Sequence, residues 1–195
     1  MRCGFIHIPK NGGTCLHGLM KDYSDYFLYQ SHDLKSSHTE SPICIIRDPY
    51  DRFLSAYQYW RNGPENGPHV NKFRVQKNLD LNEFINRIQE DKKILNTAIT
   101  WHVHFLPQCN WLSEKDYHKA IIINYQSDLS ESIQKLFDYL KIPHNGINLP
   151  KINVTKSKDT QLTEYAKCYI EATYREDFEL INKIKNEPEL FRKVI

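Results

Sequence analysis

The chain has 195 residues, of which 40% are hydrophobic and 26% charged, with a formal net charge of +2. That length and balance suit one globular domain with a sizeable core and exclude disordered and fibrous classes. A net charge so close to zero does not by itself imply nucleic acid or a membrane surface as partner, so any anion site has to be local.

The apolar run after Met1 is short and broken by His7 and Lys10, unlike a signal peptide. No stretch approaches the roughly 18 apolar residues of a spanning helix. Cys3, Cys15, Cys44, Cys109 and Cys168 are odd in number, scattered and without a C-x-x-C pair, which points to neither a zinc site nor a disulfide framework. Reduced thiols in a soluble, cytosol-like setting are expected, with a single bridge left open.

In chain order, apolar runs predict strands at 3–8 (CGFIHI), 26–30 (YFLYQ), 43–46 (ICII) and 120–125 (AIIINY). Three of them lack the alternation of a half-exposed strand, as expected for a parallel sheet covered by helices. After the third run, Asp48 and Pro49 open a helix with Phe53, Ala56, Tyr57 and Trp60 on one face. Residues 61–78, rich in Gly, Pro and Asn, read as a surface excursion. Asp80 and Glu83 form a capping box for a helix carrying Leu81, Phe84, Ile85 and Ile88. A further helix carries Leu129, Ile133, Leu136, Phe137 and Leu140, and a last one is expected from about Thr160 to beyond Ile181, with Leu162, Tyr165, Tyr169, Ile170 and Phe178 on its stripe. The pattern predicts an α/β fold: a single P-loop-like domain over 1–195, its central parallel sheet of about four or five strands flanked by helices.

Two stretches carry chemistry. In FIHIPKNGGTCLHGL, residues 5–19, a turn with Lys10, Gly12, Gly13 and Thr14 joins a strand to a helix, a place where backbone N–H groups and a helix dipole receive an anion. Its lysine precedes the glycines, whereas the nucleotide-triphosphate loop G-x-x-x-x-G-K-[ST] places it after them. In CIIRDPYDRFLSAY, Arg47 ends a strand and Ser55 follows in the second turn of the next helix, so both can reach one anion near the helix start. Taken alone, this second stretch reads equally well as a buried arginine paired with Asp51 and a serine facing a neighbouring helix.

Together these stretches resemble the sulfotransferases that use 3′-phosphoadenosine 5′-phosphosulfate (PAPS), especially the carbohydrate group that includes heparan sulfate 2-O-sulfotransferase. The resemblance implies that Lys10, Asn11, Gly12, Gly13, Thr14 and Cys15 hold the 5′-phosphosulfate, and that Arg47 and Ser55 hold the 3′-phosphate. Cys15 stands where the family usually has a hydroxyl residue. WHVHFLPQCNWL, IINYQSDL and INVTKSKDT are similar to later family segments; they imply His104 near the acceptor and Thr155 and Lys156 in a loop over the nucleotide. The implied acceptor is a glycan or another hydroxyl-bearing molecule, with no nucleic acid and no metal. Family members of the animal Golgi are membrane-anchored, so the chain is expected to be a soluble relative or a trimmed lumenal domain.

A sulfuryl group in transfer carries less charge than a phosphoryl group and is stabilised by a lysine and N–H donors without magnesium. The sequence agrees, because ICII is followed by Arg47 before Asp48 and AIIIN by no acid, where a metal-dependent phosphoryl transferase wants one. The reaction needs a general base, and histidine titrates in the right range. Of nine histidines, His32, at the carboxyl end of the second strand, matches the position from which the resembled enzymes bring theirs. A loop histidine with no role reads equally well there. Lys10 is then the residue that meets charge on the bridging oxygen. A metal-dependent small-molecule kinase and a non-catalytic adenine-nucleotide-binding module remain the rival readings.

Overall fold

In a computed structural model, residues 2–29, 35–62, 79–94, 100–125, 129–149 and 161–195 are described. Strands β1 (Cys3–Ile6), β2 (Phe27–Tyr29), β3 (Pro42–Ile46), β4 (Ile121–Asn124) and β5 (Lys193–Val194) form one sheet in the order β2-β1-β3-β4-β5. Every pairing is parallel, with Gly4 opposite Pro42, Ile43 opposite Ile121 and Ile121 opposite Lys193. The α/β class expected from uninterrupted apolar strands is the one observed.

Six α-helices accompany the sheet: α1 (Gly13–Asp22), α2 (Pro49–Asn62), α3 (Leu81–Ile94), α4 (Ser130–Leu140), α5 (Glu164–Thr173) and α6 (Arg175–Asn186), counted among the described residues. The chain divides into two compact units. One comprises Met1–Asp48, Pro107–Asn153 and Glu176–Ile195, and the other Pro49–Leu106 and Val154–Arg175.

The first unit holds the sheet. Phe5, Phe27, Ile43, Ile45, Ile121 and Ile123 form one buried cluster with Leu16 and Met20 of α1 and Ile133, Leu136 and Phe137 of α4. Because side chains alternate along a strand, Ile6, Cys44, Ile46 and Ile122 face the other way, and they are buried as well. A sheet covered on both faces explains why these strands are not alternating in sequence.

In the second unit, Phe53, Ala56 and Tyr57 of α2 and Leu81, Phe84, Ile85 and Ile88 of α3 are buried, as their spacing predicts. Phe105 packs against Phe53 and Phe84, each with ring centroids 5.4 Å apart. The capping box is present: Asp80 N–H donates to Glu83 Oε2, and Glu83 N–H to Asp80 Oδ1, both at 2.9 Å. Of residues 61–78, expected as an excursion, Arg61 and Asn62 instead end α2, and 63–78 lie outside the described residues.

Three expectations need correction. β1 stops at Ile6, not 8, because the Ile8 N–H turns back to the Ile6 carbonyl at 3.0 Å and Pro9 has no N–H to continue a ladder. The expected last helix is two, broken at Tyr174, which is buried and donates its hydroxyl to the Phe105 carbonyl at 2.8 Å; Tyr165 is exposed instead of in the core stripe. The edge strand β5 was not anticipated, since Lys193–Val194 is too short and polar to signal itself.

Candidate active site

The turn after β1 is tightly wound. Asn11 N–H donates to the Ile8 carbonyl at 3.3 Å, and Lys10 (φ 69°) and Gly12 (φ 79°) are both left-handed before the chain enters α1 at Gly13. Lysine rarely adopts that conformation, so its backbone is held there by its surroundings. A Cβ on Gly12 would sit 2.6 Å from Leu129 Cδ1, and one on Gly13 2.0 Å from His7 Cδ2. Both glycines are required by this close approach. The Cys15 N–H donates to the Gly12 carbonyl at 3.1 Å, and the start of α1 lies at the positive end of its dipole, an arrangement suited to an oxyanion.

Arg47, directly after β3, is fastened to this turn. Its Nη1 donates to the Lys10 carbonyl at 2.9 Å, and its guanidinium lies over the Tyr125 ring, 4.4 Å from the centroid. Its Nε is buried without a hydrogen-bond partner. An N–H of a permanently charged group left unpaired in a buried position favours a nearby oxyanion. The donor set of backbone N–H groups, Lys10 and Arg47 therefore fits a phosphate or sulfate ester.

Asn11 is 1% exposed and turns its amide inward, donating from Nδ2 to the Ile45 carbonyl and to Gln108 Oε1, both at 2.6 Å. Thr14 is exposed and Cys15 half-buried on the first turn of α1. Ser55, on α2, and His104, whose ring meets Tyr59 edge-on at 5.1 Å, are half-buried in the second unit. His32, Thr155 and Lys156 lie outside the described residues.

Several participants were not singled out from sequence. His7 packs over Gly13 and is hydrogen-bonded through Nδ1 to the Tyr29 hydroxyl at 2.7 Å, while the His17 ring lies 5.0 Å from that of Tyr29. Burial raises the Tyr29 pKa above its ordinary value, keeping the phenol protonated. Gln108 and Asp177, both fully buried, tie the end of β3 to α6. The Pro-Gln pair in HVHFLPQ was the available signal for Gln108; Asp177 had none, because the contacts by which it holds Gln108 and Cys109 include backbone N–H groups, which no side-chain pattern announces. Past the 30–34 segment, Ser36 is clamped: its N–H donates to the Trp111 carbonyl at 2.8 Å and its hydroxyl to Asp116 Oδ2 at 2.7 Å. Burial works to raise the Asp116 pKa, but the Ser36 hydroxyl and Lys119, 3.1 Å away, hold it below the ordinary carboxylate value.

Among the described residues, no group of three or more His, Cys, Asp or Glu is placed to hold a metal ion, and no helix is long and apolar enough to cross a membrane. No curated protein and no solved structure gave a significant match to the chain. The sequence profile of the sulfotransferase family matches residues 5–183, a span that takes in the Lys10 turn, Arg47, Gln108 and Asp177. With a family match over most of its length, the chain belongs to the sulfotransferase family.

Proposed function

We propose that the protein moves a sulfuryl group from PAPS to an acceptor hydroxyl, on a carbohydrate, by in-line displacement. The observation that carries this reading is the fastening of Arg47 to the Lys10 carbonyl, which brings a guanidinium with a buried unpaired N–H to the backbone of the turn that opens α1, within one unit. A donor with phosphate and sulfate groups at both ends of its ribose suits that set. Lys10 meets the charge that grows on the bridging oxygen, and the α1 amino terminus receives the phosphosulfate oxygens. Arg47 serves the 3′-phosphate.

In the proposed step the acceptor oxygen bonds to sulfur as the bond from sulfur to the bridging oxygen breaks. The nucleotide leaves as 3′,5′-adenosine bisphosphate, and the acceptor proton passes to His32. The assignment of Arg47 to the 3′-phosphate, the roles of His32, Ser55, His104, Thr155 and Lys156, and the glycan as acceptor rest on the sequence resemblance.

The test is thermal denaturation with 3′,5′-adenosine bisphosphate or with ATP and magnesium. At about 100 times its dissociation constant a ligand adds roughly 2.7 kcal/mol of stability. The bisphosphate is expected to raise the midpoint much more than ATP, because ATP has no 3′-phosphate for Arg47. Equal shifts would favour the kinase reading.

A further inference from the structure

We propose that Gln108 is a positioning residue that locks the anion turn to the end of β3, so that Lys10 and Arg47 are set by one buried carboxamide. The proposal deepens the donor-site reading of that turn and rests on it for its consequence in binding.

Gln108 is 0% exposed, and its side chain grips one residue at two points. Its Oε1 accepts from the Arg47 N–H at 3.0 Å, and its Nε2 donates to the Arg47 carbonyl at 2.8 Å. The carboxamide thus supplies the pairing that a neighbouring strand would give. The same Oε1 accepts from Asn11 Nδ2 at 2.6 Å, and that amide also reaches the Ile45 carbonyl. One side chain therefore holds the residue after Lys10 and the whole backbone of Arg47, whose guanidinium in turn holds the Lys10 carbonyl.

Gln108 is itself fixed from behind. Its N–H donates to Asp177 Oδ2 at 2.9 Å and the Cys109 N–H to Asp177 Oδ1 at 3.1 Å, so a buried carboxylate in the first turn of α6 caps the short 3-10 turn Gln108–Asn110. The chain of contacts runs from α6 through Gln108 to both arms of the site. A carboxamide is needed because the Arg47 peptide presents a donor and an acceptor together. A carboxylate has no N–H for the carbonyl, and a leucine has neither group.

The experiment compares the wild-type chain with Gln108→Glu, Gln108→Leu and Asn11→Ala. Amide hydrogen exchange of the unliganded protein is read by mass spectrometry, and 3′,5′-adenosine bisphosphate binding by calorimetry. Folded Gln108 variants should exchange at least tenfold faster in residues 10–16, with α4 unchanged, and bind the bisphosphate at least tenfold more weakly. In an Arg47→Ala background, Gln108→Leu should add little further loss of affinity, which a general structural role does not predict. Asn11→Ala, which cuts a single arm, keeps the test alive where the Gln108 variants fail to fold, and should loosen the same residues. Native exchange at 10–16 in the folded variants, or independent additive losses of affinity, would overturn the proposal. A wild type that ignores the bisphosphate while the exchange pattern appears would discard the donor reading and leave the positioning role supported.

Discussion

Arg47 Nη1 and the Lys10 carbonyl oxygen lie 2.9 Å apart, so the cation at the end of β3 holds in place the backbone of the cation in the anion turn. The two residues are coupled through this bond, and substitutions at either should be felt at both. Arg47→Ala is expected to lose bisphosphate affinity by tenfold or more and to loosen the turn. Lys10→Ala should lose more in turnover than in nucleotide binding, since its charge is assigned to the transition state. Calorimetry alongside steady-state rates separates the two; a Lys10→Ala enzyme that lost affinity alone would make Lys10 a binding residue.

The left-handed backbone of Lys10 gives a stability prediction independent of catalysis. A residue with a Cβ sits in that region at a cost of roughly 1–2 kcal/mol, which glycine escapes. Lys10→Gly should therefore unfold at a higher urea concentration than Lys10→Ala, while both lack the ammonium and turn over slowly. Equal midpoints would mean that the φ of 69° carries no strain.

Gly13→Ala tests the packing of His7 over the turn. A methyl group there would sit 2.0 Å from His7 Cδ2, so the ring has to move, at a cost of roughly 1–3 kcal/mol for overpacking. The loss should shrink when His7→Ala is combined with it, because the obstructing ring is gone. A double variant as unstable as the sum of the singles would place the strain elsewhere.

Asp116 yields a pH dependence. Its pKa is lowered in the folded chain, the Ser36 and Lys119 contacts outweighing burial, so the carboxylate contributes stability above its unfolded pKa that fades as pH falls through the folded value. Asp116→Asn should be less stable than wild type at pH 7, and the gap should narrow at pH 3. Chemical denaturation at the two pH values measures it, and a gap that widened in acid would contradict the assignment.

What could be read from sequence follows from how local each signal is. β3 and β4 announce themselves through isoleucine runs, and the Asp80–Glu83 box forms from residues three apart. The glycines of the turn were legible because close approach leaves few other residues possible. The lock was not: Asn11 and Gln108 are 97 positions apart, and neither side chain signals its partner. β5 exists only because β4 offers an open edge, and Tyr174, where the helix breaks, is buried with its hydroxyl on a carbonyl 69 residues away. Short polar strands and helix breaks of this kind are set by tertiary contacts that override local preference.

Transfer of radiolabelled sulfate from PAPS to a panel of glycans, phenols and tyrosine peptides, with a magnesium chelator present throughout, separates sulfuryl transfer to a sugar from its rivals. Label is expected on a glycan hydroxyl at an undiminished rate, with a rate that falls as pH drops through the histidine range and a loss of about a hundredfold or more in His32→Ala with bisphosphate binding intact. Bisphosphate binding without label on any acceptor, or transfer that stops when magnesium is chelated, would contradict it.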